Sequence, residues 1–128
     1  MQRNTKVQVQ NLRKCLEPVF TSDTGRHSEE VVIPSTGHCA AVALIANIMF
    51  KGQLISATVQ KESHWFNRIE IDGLWYDVDL TGDQFGFPPV QIKTAQRLYG
   101  KSKVRSWKEV TWETAVRAYI LAERADLI

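Results

Sequence analysis

Residues 64–80 read His64-Trp65-Phe66-Asn67-Arg68-Ile69-Glu70-Ile71-Asp72-Gly73-Leu74-Trp75-Tyr76-Asp77-Val78-Asp79-Leu80. Asp72-Gly73 separates two alternating runs, and Asp-Gly supplies the positive φ angles of a tight type I′ turn. The pattern predicts an antiparallel hairpin over His64–Ile71 and Leu74–Leu80. A two-residue loop sets Ile71 opposite Leu74, Arg68 opposite Asp77, Phe66 opposite Asp79 and His64 opposite Thr81. Directly opposed residues share a sheet face. One face then carries Trp65, Asn67, Ile69, Ile71, Leu74, Tyr76, Val78 and Leu80, most of which is core, including Trp65 and Tyr76. The other carries His64, Phe66, Arg68, Glu70, Trp75, Asp77, Asp79 and Thr81. Arg68 gives Asp77 a structural partner, whereas His64 and Asp79 are diagonal neighbours. A bulged three-residue loop would shift this parity and leave Asp77 to compete with Asp79.

Toward the N-terminus, Leu54–Val59 reads as a strand. The run from Cys39 to Phe50 is rich in Ala, Leu and Met, apolar nearly all round and bounded by Gly52, as a buried helix would be. Ser35 or Thr36 is the expected cap, which sets Cys39 in the first turn. Thr21–Pro34 is a long loop with a brief extended piece at Val31–Ile33. Val9, Leu12, Leu16 and Val19 recur at helical spacing, and Pro18 ends that first helix near Glu17. Cys15 lies on or beside its apolar stripe, as inert packing. Toward the C-terminus, Thr81–Pro89 is rich in turns, Val90–Ile92 is a further strand, and Thr94–Tyr99 is a short helical turn closed by Gly100. Lys101–Arg105 is a basic loop. Ser106 and Glu109 form a capping box for a last helix from about Trp107 to Ala125. Residues 1–128 thus form one α+β domain: N-terminal helices, a buried Cys-bearing helix on an antiparallel sheet, and a C-terminal helix.

Composition narrows the function classes. The 128 residues are 44% hydrophobic and 23% charged, with a mean hydropathy of −0.24. Sixteen Lys and Arg against fourteen Asp and Glu leave +2, too little to argue for nucleic acid or an anionic membrane. Two cysteines make neither a disulfide framework nor a four-thiolate metal site. The twelve residues from Cys39 to Phe50 are too few to cross a bilayer. Met1–Lys14 is polar, with no signal-peptide core, so a cytoplasmic location is expected.

A nucleophilic thiol needs a lowered pKa, a base and a group that orients the base. At a helix start, Cys39 receives the first from unpaired N–H groups and the helix dipole. His64 is the candidate base, and Asp79 accepts from its other ring nitrogen, fixing the tautomer. Taken singly, Cys39 reads as a small core residue, His64 as a structural histidine and Asp79 as a turn cap. Their conjunction, in an order suited to a helix backed on a sheet, carries the catalytic reading. The backbone N–H of Cys39 is available to an oxyanion hole.

The stretch from Pro34 through Gly37-His38-Cys39, then His64-Trp65-Phe66-Asn67, then Asp79-Leu80-Thr81 and Gln84-Phe85, resembles small bacterial and phage proteins of the YunG-like kind. More broadly it is similar to the papain and transglutaminase-like superfamily, where a Gly-x-Cys at a helix start precedes His and Asp on adjacent strands. The resemblance spans Pro34 to Phe85, somewhat under half of the chain. It implies a papain-like or transglutaminase-like core, with Cys39 as nucleophile, His64 as base and Asp79 as orienting acid. The narrower group carries Gln before the cysteine, where an amide assists the oxyanion hole. His38 stands there instead and donates similarly only in one tautomer. The tail after Pro89 lies outside the resemblance and is expected to contribute to the substrate-facing surface. Fold analogy does not transmit substrate.

Other residues carry weaker signals. Trp75 and Phe66 either line an apolar substrate groove or pack under the Cys39 helix, which needs cover on every side. Gln84 either contacts substrate or satisfies loop backbone groups. His38, Trp75 and Gln84 are therefore the candidate substrate-binding residues. His27, His38, Cys39 and His64 lack the paired short spacing of a zinc set, and no metal or cofactor is expected. Lys101, Lys103 and Arg105 read as a solvated loop. The leading expectation is a hydrolase or acyltransferase acting on a small-molecule or peptide acyl substrate. The competing one is a catalytically inactive, phage- or defence-associated module that uses the same cleft to sequester a ligand or partner.

Overall fold

The structure, a computed structural model, describes residues 4–21, 38–94 and 98–128. Helix α1 covers Thr5–Leu16 and runs into a 3-10 turn at Glu17–Val19, with Pro18 in its first positions. Helix α2 covers Cys39–Phe50. Strands β1 (Gln53–Val59), β2 (Glu62–Ile71) and β3 (Leu74–Asp79) follow. A 3-10 turn at Gly82–Phe85 leads to β4 (Gln91–Thr94) and β5 (Ser102–Arg105). After a last 3-10 turn at Trp107–Glu109, helix α3 covers Trp112–Arg124. All strand pairs are antiparallel, and their order is β4-β3-β2-β1-β5. The fold is α+β.

The register of the β2–β3 hairpin is that of a two-residue loop: Ile71 faces Leu74, Arg68 faces Asp77 and Asn67 faces Val78. Asp72 and Gly73 take φ of 52° and 84°, as a type I′ turn demands. The β1–β2 connection repeats this geometry at Gln60 and Lys61, with φ of 49° and 69°, although neither residue favours it. Alternation divides the sheet into two faces. On one, Leu54, Ile69, Ile71, Tyr76, Val78 and Leu80 pack with α1, α2 and α3 into the main core. Asn67 on that face donates to the Ala43 carbonyl of α2 at 2.9 Å, pinning helix to sheet. The opposite face holds a smaller cluster of Ile55, Ala57 and Phe66, covered by Tyr99.

Several expectations require correction. Lys101–Arg105 is not a loop: Ser102–Arg105 pairs with the open edge of β1, where backbone groups would otherwise lack partners. The Ser106–Glu109 capping box forms, but it caps a 3-10 turn; the chain then extends at Val110, and Thr111 caps α3 separately. Cys15 is exposed, because the buried stripe of α1 is Val9, Leu12, Arg13 and Leu16. The residue at the N-cap of α2 is His38, with no side-chain cap bond; Ser35, Thr36 and the Val31–Ile33 piece lie outside the described residues. The Thr94–Tyr99 turn is described only in part. No helix among the described residues is long and apolar enough to cross a membrane.

Candidate active site

Cys39 is the first residue of α2. His38, buried at the N-cap, accepts the Val42 N–H at 3.0 Å through its carbonyl, so the first-turn amides point outward around Cys39. The His38 ring packs on Phe20, with centroids 4.5 Å apart. His64 lies near the start of β2, where Ala57 of β1 pairs with it on one side. On the other side the β2–β3 ladder stops at Asn67 and Val78, so β3 has diverged by the time β2 reaches His64. Asp79 ends β3 at that divergence.

The imidazole and the carboxylate meet there. His64 Nε2 donates to Asp79 Oδ2 at 2.8 Å, with the two side chains 0% and 1% exposed. The Thr81 amide and hydroxyl donate to Asp79 Oδ1 at 3.0 and 3.3 Å. Tyr99 donates its hydroxyl to Asp79 Oδ2, the oxygen that His64 uses, and accepts from Gln91 Nε2 at 2.6 Å. Burial alone pulls the His64 pKa down. The hydrogen bond to Asp79 and the neighbouring Cys39 thiol outweigh it and hold the value at about 9, so the ring is an imidazolium at neutral pH. Burial and the Asp79 charge push the Tyr99 hydroxyl far above the usual tyrosine range, so it stays protonated. With Nε2 taken by Asp79, the ring nitrogen left for the thiol is Nδ1, which has no hydrogen bond of normal geometry among the described residues.

Aromatic rings wall this centre. His64 meets Phe85 and Tyr99 edge-on, with centroids 4.9 and 5.4 Å apart, and stacks with Phe66 at 6.1 Å. Gly82 permits the closeness: a Cβ there would lie 2.6 Å from Gln91 Nε2 and 3.1 Å from both Asp79 Oδ2 and Tyr99 Oη. Arg13 of α1 holds the loop beyond β3. It is 3% exposed, donates to the Leu80 carbonyl at 2.7 Å and clamps both oxygens of Asp83 at 2.9 and 2.7 Å.

The structure therefore brings Cys39, His64 and Asp79 together, and it separates Asp77 from them. Asp77 accepts from Arg68 Nε at 2.7 Å and from the Leu98 amide at 3.0 Å, a structural post. Trp75 is not gathered in: it faces Glu70 and is 42% exposed, about 20 Å along the strand from the His64 level. Phe66 packs in the small cluster with Tyr99 and not under α2. Gln84 donates to the Thr81 carbonyl at 3.0 Å, the loop-satisfying role. Tyr99, Gln91 and Arg13 escaped sequence reasoning. Their side chains reach the site across the fold, and no local period marks them. Among the described residues no group of three or more His, Cys, Asp and Glu is placed to hold a metal ion.

Comparison with known proteins agrees with part of the resemblance and extends it. The chain matches no curated protein and no solved structure. A family model described as YunG protein matches residues 8–122, taking in most of α1, all of α2 and the sheet, and most of α3, and therefore the region after Pro89 as well. With nearly the entire chain matched, this protein belongs to the YunG family.

Proposed function

We propose that the protein is a thiol-dependent acyl-transfer enzyme built on a reduced papain-like or transglutaminase-like core. The observation that carries this reading is the ring of His64, held by Asp79 through Nε2 and flanked by the Cys39 thiol at a helix start. An imidazolium and first-turn amides set positive potential beside the Cys39 sulfur, as a thiol nucleophile requires. The thiolate adds to the carbonyl carbon of an amide, thioester or related acyl group, forming an S–C bond. Helix-start N–H groups, that of Cys39 first, receive the oxyanion. As the tetrahedral adduct collapses, the bond to the leaving group breaks, and the leaving group takes the His64 proton. Water then gives a proton back to His64 and adds to the acyl carbon. The S–C bond breaks, releasing the acid and the Cys39 thiolate. An amine in place of water makes the reaction a transfer.

The two cysteines provide the test. Cys15 is exposed and Cys39 only half-buried, so access alone makes Cys15 the faster to alkylate. An activated Cys39 reverses that order with iodoacetamide at near-neutral pH, and His64→Ala abolishes the reversal. An activated acyl ester also leaves its acyl group on Cys39, read by mass spectrometry. Slow labelling of Cys39 with no acyl adduct sinks the enzyme reading and favours the ligand-sequestering module.

A further inference from the structure

Asp79 Oδ2 has two donors, and the second has no part in the mechanism above. Tyr99 comes from the segment between β4 and β5, 20 residues beyond Asp79. Gln91 donates to the Tyr99 oxygen, which turns the phenolic proton toward the carboxylate. Gly82 leaves room for all three groups. Phe66 and Phe87 hold the phenol ring, with centroids 5.4 and 5.6 Å away. This arrangement exceeds what packing requires, since a phenylalanine at position 99 would cover Ile55, Ala57 and Phe66 equally well.

We propose that Tyr99 is a positioning residue for the Asp79–His64 pair: by donating to the oxygen that the imidazole also uses, it limits how tightly that carboxylate holds the imidazole's proton. A carboxylate oxygen divides its acceptor strength between its donors. Two donors on one oxygen leave each with less than the whole. A solitary, buried aspartate would keep His64 so firmly protonated that it becomes a poor acid toward a leaving group, because acid–base catalysis works best with a pKa near the working pH. Among the described residues, the groups facing the His64 ring are Asp79 of β3, Cys39 of α2 and Tyr99, together with the uncharged rings of Phe66 and Phe85. Phe66 and Phe85 act on the imidazolium by keeping water away, whereas Tyr99 acts on it as a neutral donor to the very carboxylate oxygen that the ring uses. The inference concerns the same site as the proposed activity, but its central measurement needs no turnover.

The test follows the His64 ring resonances by NMR titration in the wild type, Tyr99→Phe and Gln91→Leu, with His64 assigned through His64→Gln. Removing the hydroxyl moves the His64 midpoint upward by about one pH unit, from the strength of a hydrogen bond to a charged group. Gln91→Leu, which removes only the outer donor, moves it the same way by less. Thermal melts check that both variants fold, and the Gln91 variant keeps the idea testable should Tyr99→Phe unfold. An unchanged or lowered midpoint in a folded variant overturns the proposal and leaves Tyr99 as packing. A raised midpoint in a protein whose Cys39 proves inert sustains it while the enzyme reading falls.

Discussion

Asp77 and Asp79 stand two residues apart on one strand face, each 1% exposed. Asp77 meets Arg68, a permanent cation, and a backbone amide. Asp79 meets His64, a cation that releases its proton, along with Thr81 and Tyr99. The same residue type at equal burial thus serves two ends, and the partner's chemistry decides which. A guanidinium partner makes a fixed post between β2 and β3, because arginine does not deprotonate in proteins. An imidazole partner makes a site where a proton moves.

The largest expected effect separates the two carboxylates by substitution. Asp79→Asn lowers the rate of selective Cys39 labelling by about 100-fold or more, as loss of the orienting acid does in nucleophile–histidine–acid centres. Asp77→Asn leaves that rate within about twofold but lowers the unfolding free energy by about 2 kcal/mol in urea titrations, since Arg68 loses its buried partner. If both variants move the same readout, the contrast between post and proton site is broken.

Next comes pH. His64 is held near pKa 9 in the folded chain against an ordinary 6.5, so its protonation stabilises the fold. That contribution is complete below about pH 6.5 and is lost as pH rises through 9. Urea unfolding free energies for the wild type therefore decline across this window, and His64→Gln flattens the decline. Asp77→Asn keeps the slope, because the slope belongs to the His64–Asp79 contact, in which Asp77 takes no part. The smallest effect belongs to Gly82→Ala. The new methyl displaces the flexible Gln91 amide from Tyr99, and the expected loss is about 1 kcal/mol in a thermal or urea melt.

Much of this was legible in advance. Asp72-Gly73 specified both turn and register, so the Arg68–Asp77 pair followed from strand alternation; the expected Phe66–Asp79 and His64–Thr81 pairings do not form, and His64 and Asp79 meet through their side chains where the strands part. The all-round apolar run identified α2 and set Cys39 in its first turn. Other features were not legible. Gln60-Lys61 makes the same kind of turn as Asp72-Gly73 without its residue signal, since the pairing of β1 with β2 holds the chain there. Ser102–Arg105 reads as a basic loop because its strand character comes from the edge of β1. Cys15 fits a helical stripe by spacing, yet Arg13 occupies the buried place, where Asp83 and the Leu80 carbonyl compensate its charge.

What the amino-acid order determined by itself was local: the hairpin, its faces and the start of the thiol-bearing helix, because turn preference and side-chain periodicity act over a few residues. What only the folded chain decided was distant. Arg13 joins Asp83 across 70 residues and Tyr99 joins Asp79 across 20. Such contacts arise where separate segments converge to satisfy one another's buried charges and hydrogen bonds, and no period in the sequence encodes that meeting.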